Sequence, residues 1–223
     1  MRSQQSGFTL VEIAIVLVII GLLLGGILKG QELINSAKVK NLANDFRVIP
    51  TYVYAYQDKF RALPGDDVAA ATHVACAAPC QNGNGNGVIN GNWNSLTVTD
   101  ESWQFWGHVR AANLTSGPTT WAAAAVSDPY VPKNAVGGQI GISSAIASGA
   151  SANLQIAGMT GTYQVCSAGV LGKFAMQLDI QMDDGNTATG SLRVVPDGSA
   201  LATAAVATTA IDPSLNYTVC MTF

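Results

Sequence analysis

Charge is scarce in this chain. Its 223 residues include 11 Lys and Arg against 14 Asp and Glu, a net charge of −3, and charged residues make up only 11% of the total. Nucleic-acid binding rests on neutralising phosphates with a basic face, which this composition does not supply, so nucleic acid is not an expected partner. Histidine is scarcer still: His73 and His108 fall in different segments. No Gly-x-Ser-x-Gly, His-Glu-x-x-His, phosphate-loop or dinucleotide fingerprint is present, and the chain is expected not to be an enzyme. With 48% hydrophobic residues and so few charges, solubility of the folded part falls to Ser, Thr, Asn and Gly, a balance that suits a secreted or surface protein. The length suits one compact domain with an appended helix better than two domains.

What the chain does have is a long apolar run. Residues Gly7 to Leu28 read G-F-T-L-V-E-I-A-I-V-L-V-I-I-G-L-L-L-G-G-I-L. From Phe8 to Leu28 the run is apolar enough to cross a bilayer, which takes ~20 such residues at ~1.5 Å rise. A single carboxylate, Glu12, interrupts it near the start. A charge at the centre of a membrane helix costs roughly 2.5–3.5 kcal/mol on insertion scales, so Glu12 is expected to have a task, and the expected task is pairing. Cleavage of the Gly7–Phe8 bond would create an α-ammonium at Phe8, one helical turn from Glu12. Two readings compete. One is an ordinary anchor whose Glu12 snorkels to the interface. The other is a secretory signal, but its apolar stretch is normally ~7–15 residues with a small-x-small site after it, and neither feature is present here.

The leader Met1-Arg-Ser-Gln-Gln-Ser-Gly7 followed by Phe8-Thr9-Leu10-Val11-Glu12 resembles type IV prepilins and the pseudopilins of type II secretion. The resemblance covers about the first 30 residues. It implies cleavage after Gly7 by a prepilin peptidase, N-methylation of Phe8, and polymerisation through the apolar helix, with Glu12 neutralising a neighbouring subunit's Phe8 amine. The implied partners are identical or homologous pilin subunits, the peptidase, an inner-membrane assembly platform and membrane lipid. The implied location is the bacterial inner membrane, single-pass with the C-terminal head in the periplasm, and then a filament. Many members of the family carry a proline about three turns into the helix; here Lys29 stands at that place, and Gly21, Gly25 and Gly26 are the candidates for a weak stretch.

Orientation is argued from two opposing signals. Arg2 precedes the apolar run while Lys29, Lys38, Lys40 and Arg47 follow it, which by the positive-inside rule alone would leave the body in the cytoplasm. The leader and the four cysteines, Cys76, Cys80, Cys166 and Cys220, argue for an oxidising compartment instead. Four cysteines allow three pairings; the preferred one joins Cys76 to Cys80 as a local clip and Cys166 to Cys220 as a staple.

Beyond the apolar run, Leu42, Phe46, Ile49, Val53, Tyr56 and Phe60 recur at spacings of 4, 3, 4, 3 and 4, one stripe of a helix whose other side holds Asn44, Asp45, Arg47, Gln57 and Asp58. The reading is one helix of roughly 50 residues, on the order of 80 Å long, bent at Pro50 and ended by Leu63-Pro64-Gly65. The stretch from Asp66 to Asn94 reads as loop. A second helix is expected from Asp100 to about Asn113, capped by Thr99. Period-two alternation predicts strands at Phe174–Met182 and Leu215–Phe223, a hairpin turn at Asp183–Asn186, a return strand from Gly190 to Val195, and another strand around Gly161–Cys166. The fold class is therefore α+β and pilin-like: a long N-terminal helix, membrane-spanning in its first half, packed on an antiparallel sheet. The organisation is 1–7 leader, 8–28 membrane or filament-core helix, 29–63 amphipathic half of the same helix, and 64–223 head.

Two metal readings arise. His73, Cys76, Cys80 and His108 have zinc-type donors, although a disulfide competes for the cysteines. Asn82, Asn84 and Asn86 follow the alternate-position spacing of a calcium loop, but all three ligands are neutral and Trp93 stands where the chelating acid belongs. No other cofactor is expected. The function implied is a structural subunit of a type IV pilus-like filament, with a type II secretion pseudopilin as the alternative and a tethered, non-polymerising binding domain as the second.

Overall fold

A computed structural model of the chain describes residues 7, 9–75, 79–145, 155–200 and 202–223. It divides into two compact units, Met1–Lys38 and Val39–Phe223, the second being the head. Helix α1, Leu10–Phe60, runs for 51 residues and continues through Pro50. Its two parts obey different rules. Every large apolar side chain from Leu10 to Leu28 is 46–89% exposed, and the helix is long and apolar enough to cross a membrane. Burying one such side chain is worth ~1.5–3 kcal/mol, so the sleeve as a whole strongly favours an apolar surround over water. From Val39 onward α1 is amphipathic: Val39, Leu42, Ala43, Phe46, Ile49, Val53 and Tyr56 are buried, while Asn44, Arg47 and Asp58 face solvent. This is the expected stripe, with Phe60 half-buried at its end.

The head holds a four-stranded antiparallel sheet in the order β1-β2-β4-β3, built from β1 (Ile140–Ser144), β2 (Tyr163–Leu171), β3 (Leu192–Pro196) and β4 (Asn216–Thr222). The fold is pilin-like α+β, a long N-terminal helix packed on an antiparallel sheet. Phe46, Ile49 and Val53 of α1 share one hydrophobic core with Ile142, Val165, Val194 and Val219 of the strands. β4 forms where alternation placed a strand, and β2 overlaps the strand expected around Gly161–Cys166 but runs on to Leu171. β1 was not expected from the sequence; it is a fully buried strand, paired with β2 from Ile140↔Ser167 to Ser144↔Tyr163. β2 is bulged between Ser167 and Val170, where Gly169 takes φ +69°. Close by, Gly138 packs so tightly that a Cβ would lie 1.9 Å from the Ala168 carbonyl oxygen.

Among the described residues, the head also holds the α-helices α2 (Ala70–His73), α3 (Glu101–Ala111) and α4 (Gly172–Met182), and a short 3-10 turn at Thr208–Ala210. α3 occupies the expected place, but Asp100 rather than Thr99 stands at its N-cap position, and makes no side-chain cap bond. The Asp100 Oδ2 accepts the Ser95 hydroxyl at 2.5 Å instead. Every residue of α3 from Glu101 to Arg110 is buried.

α4 corrects the strand expected at Phe174–Met182. The alternation of that stretch is real, but its residues also satisfy a helix, since Phe174 and Leu178 are four apart and Ala175 and Asp179 flank them on one face. Ala, Met, Gln, Leu and Lys are strong helix formers, and the single β-branched residue, Ile180, is 68% exposed. A strand would have turned Ile180 inward. The hairpin with residues 190–195 is consequently absent as well: β3 pairs with β4, from Leu192↔Met221 to Pro196↔Tyr217.

The Cys166–Cys220 disulfide joins residues directly opposed in the β2–β4 ladder. Cys80 is also disulfide-bonded, while Cys76, the partner preferred for it from sequence, lies outside the described residues. Cys166 and Cys220 are fully buried beside Trp93, Ile156, Met159 and Val195. The bridge closes a separation of 54 residues, which the chain-entropy account values at roughly 4 kcal/mol. Replacing both Cys166 and Cys220 by Ala is expected to lower the urea midpoint of the head clearly more than Cys80→Ala does. Equal midpoints for the two variants would remove the staple from the account.

Candidate functional site

The first turn of α1 is held by a reciprocal pair. The Thr9 backbone N–H and hydroxyl both donate to Glu12 Oε2, at 2.8 and 2.7 Å, and the Glu12 N–H donates back to the Thr9 hydroxyl oxygen at 3.3 Å. This is a capping box: Thr at the N-cap and Glu three residues on satisfy each other's orphan amides. The carboxylate also sits at the positive pole of the helix, where negative charge is favoured. Glu12, read from sequence only as a partner for an amine, thus has a second task in starting α1 at Leu10. The Thr-x-x-Glu spacing ahead of an apolar run is the sequence signature of this role. Gly7 is exposed, and Phe8 lies outside the described residues. At Gly21, Gly25 and Gly26 the backbone is helical, and a Cβ would meet nothing within 4 Å.

Residues 2–28 match the prokaryotic N-terminal methylation motif. The chain carries a prepilin-type N-terminus. No curated protein and no solved structure matches it. The prepilin motif and its capping box therefore lie on the same stretch of chain, Thr9 to Glu12, and the motif's apolar continuation is the exposed sleeve of α1.

In the head, the Asn-Gly stretch is organised by two buried acids. Asp66 Oδ1 accepts the N–H groups of Gly85 (2.6 Å) and Asn86 (3.1 Å), and its Oδ2 accepts that of Gly87 (2.7 Å). Glu101 Oε1 accepts the Asn84 N–H at 3.1 Å, and Oε2 accepts the Asn90 backbone and side-chain N–H groups at 2.9 and 2.7 Å. Burial pushes the Glu101 carboxyl up, the bonds from Asn90 and Asn84 draw it down, and the nearby Asp66 charge adds to the net rise. The three asparagines named as calcium ligands each spend their side-chain oxygen on a backbone amide: Asn82 on Ala71, Asn84 on Asn86, and Asn86 on Val88. Gly83 is needed here because a Cβ would fall 2.3 Å from the Asp66 backbone.

A second network gathers the histidines. Asp67 Oδ2 accepts the Tyr56 hydroxyl at 2.7 Å and lies 2.7 Å from His73 Nδ1, while Oδ1 accepts the Ala69 N–H at 2.8 Å. Burial would raise Asp67, but these donors outweigh it and hold the carboxyl below its usual range. His108 is fully buried; its Nδ1 accepts the Gly65 N–H at 3.0 Å, so its Nε2 carries the proton given to the Gln81 carbonyl at 2.8 Å. Both ring nitrogens are thus engaged and Cys80 is disulfide-bonded, so the zinc reading loses two of its four donors.

A third cluster was missed in sequence. One carboxylate oxygen from each of Asp179, Asp183 and Asp184 lies within 4.8 Å of the others. Burial, then the charges of Asp184 and Asp183, push Asp179 up to about 6 against a partial pull from the Gly185 amide. The misread strand hid this group, since a strand would set Asp179 and Asp183 far apart, whereas a helix places them one turn apart on one face.

Burial holds the His108 ring below its ordinary 6.5, despite the Gln81 carbonyl and the Asp67 charge. The folded state therefore refuses a proton that the unfolded chain accepts, so this contribution to stability is present above pH ~6.5 and is lost as pH falls below it. Between about pH 7 and pH 5 the thermal midpoint of His108→Gln is expected to fall less than that of the unsubstituted chain. Parallel curves over that window would contradict the assignment of His108 as a buried neutral ring.

Proposed function

We propose that this chain is a structural subunit of a type IV pilus-like filament, made as a precursor anchored in the bacterial inner membrane with its head in the periplasm. A prepilin peptidase cleaves after Gly7 and methylates the new Phe8 amine, and the subunit then polymerises through the apolar half of α1. The observation that carries this reading is the methylation motif at residues 2–28 leading into a helix whose apolar side chains are exposed all round. Such a surface suits lipid before assembly and neighbouring helices after it. Gly21, Gly25, Gly26 and Gly30 add small-residue spacing of the kind that lets apolar helices approach closely.

Mass spectrometry of the mature chain tests the processing step: an N-methylated Phe8 at the N-terminus is expected, and an intact Met1 would exclude the reading.

The capping box sharpens the test of Glu12. In a filament core an unpaired buried charge is expensive, and removing one member of a buried pair costs ~3–5 kcal/mol. Glu12→Val removes both the charge and the cap, so its effect on assembly is ambiguous. Glu12→Gln keeps an N3 acceptor for the Thr9 amide, because Gln also serves in a capping box, and removes only the charge. Both variants are expected to be cleaved normally and to yield few filaments, with Glu12→Asp in between. Normal filament yield from Glu12→Gln would show that Glu12 acts by starting the helix rather than by meeting an amine. Sheared surface filaments seen by electron microscopy would distinguish a pilus from the short periplasmic filament of a secretion pseudopilin.

A further inference from the structure

Among the described residues, one acidic side chain is buried with no hydrogen bond of ordinary geometry. Asp179 is fully buried, and neither of its carboxylate oxygens has a hydrogen bond of ordinary geometry, the Gly185 amide giving only a partial pull. Buried charges in folded proteins are paired or coordinate metals, and a bare one is strongly disfavoured. The surroundings make matters worse. Asp179 and Asp183 lie at the C-terminal end of α4, where the helix dipole is negative and carboxylates are least welcome. Arg193 attracts Asp184 electrostatically, but its guanidinium donates to the carbonyls of Ala157 and Gly190. Three carboxylates are thus concentrated where each of them alone is unfavourable.

The loop after α4 fixes that concentration in place. Asp183 Oδ2 accepts the Leu192 N–H at 2.8 Å. Asp184 Oδ1 accepts the Asn186 N–H at 2.8 Å, and its Oδ2 accepts the Thr189 hydroxyl at 2.6 Å. Gly190, at φ +71°, lies against Asp183 so closely that a Cβ would sit 2.0 Å from Oδ2. Each of these bonds leaves lone pairs free, since a carboxylate offers about four acceptor sites. The three acids are held, and one oxygen of each converges within 4.8 Å.

We propose that Asp179, Asp183 and Asp184 form a calcium site at the C-terminal end of α4, completed by water. The donors are all oxygen and carry three negative charges, which selects a hard divalent cation over zinc or copper. Calcium–oxygen distances of ~2.3–2.6 Å allow ligand oxygens up to about 5 Å apart, whereas magnesium at ~2.0–2.1 Å needs a tighter set of near-ideal octahedral geometry. The separation of up to 4.8 Å fits the larger ion. This site is separate from the Asn-Gly loop, whose asparagine oxygens are committed to backbone amides.

The test uses the full chain in detergent micelles, stripped with EDTA and titrated with calcium chloride by calorimetry, with thermal unfolding followed in parallel. One calcium per chain and a rise in the thermal midpoint are expected. Asp179→Asn should weaken binding by about tenfold or more, because affinity follows ligand charge. Should Asp179→Asn fail to fold, the exposed Asp184→Asn carries the same expectation, while Asn86→Ala should bind as the unsubstituted chain does. No saturable calcium binding, binding unchanged in both aspartate variants, or magnesium binding as tight as calcium would each overturn the proposal.

Discussion

Backbone amides that lie outside helices and strands must still find acceptors, and in this head buried carboxylates supply them. Among the described residues, the long segments between α1 and β2 contain little regular structure, yet they wrap α3, which is buried on all sides. Asp66 gathers three loop amides, Glu101 two, and Asp128 another three, from Ala122, Ala123 and Tyr130. Charge-assisted bonds of this kind are stronger than neutral ones and tolerate irregular geometry. The low charge content thus has a structural side: a good share of the acids are not on the surface repelling one another but inside, fixing loops.

The same logic separates Asp179 from its relatives. Asp66, Asp67, Glu101 and Asp128 are buried and richly supplied with donors, whereas Asp179 is buried with no hydrogen bond of ordinary geometry. A head that satisfies its other buried acids with such regularity makes the exception informative, and the helix-end position of that exception excludes the dipole as a remedy.

What the sequence disclosed followed from signals with one physical cause. The stripe from Leu42 to Tyr56 could only be a helix face, and the alternation of β4 had β-branched and aromatic residues at Tyr217, Thr218, Val219 and Thr222 to support it. The Phe174–Met182 stretch offered two periods at once, and only its helix-forming composition decided between them. β1 was obscured because Gly141, Ser143 and Ser144 look like loop residues; their smallness is explained by contact, since a Cβ at Gly141 would lie 1.9 Å from the Trp93 carbonyl oxygen. Gly7, Phe8 and Glu12 are legible as a motif, whereas the bonds between Thr9 and Glu12 depend on the local turn geometry. Asp179 could not be singled out at all, because its isolation is a property of the tertiary surroundings rather than of its neighbours in sequence.

The strand order β1-β2-β4-β3 puts the last of the four strands in chain order between two earlier ones. Neither β2 nor β3 can complete its ladder until β4 arrives, and the Cys166–Cys220 bridge across that ladder cannot close earlier either. Pairing between residues so distant along the chain is slow relative to local helix formation, because loop-closure entropy must be overcome before the contacts form. For that interval the nascent head presents two open sheet edges, of the kind that recruit other strands. A chain released in this state beside many copies of itself depends on a holding factor or on rapid sheet closure to avoid pairing edge to edge with its neighbours.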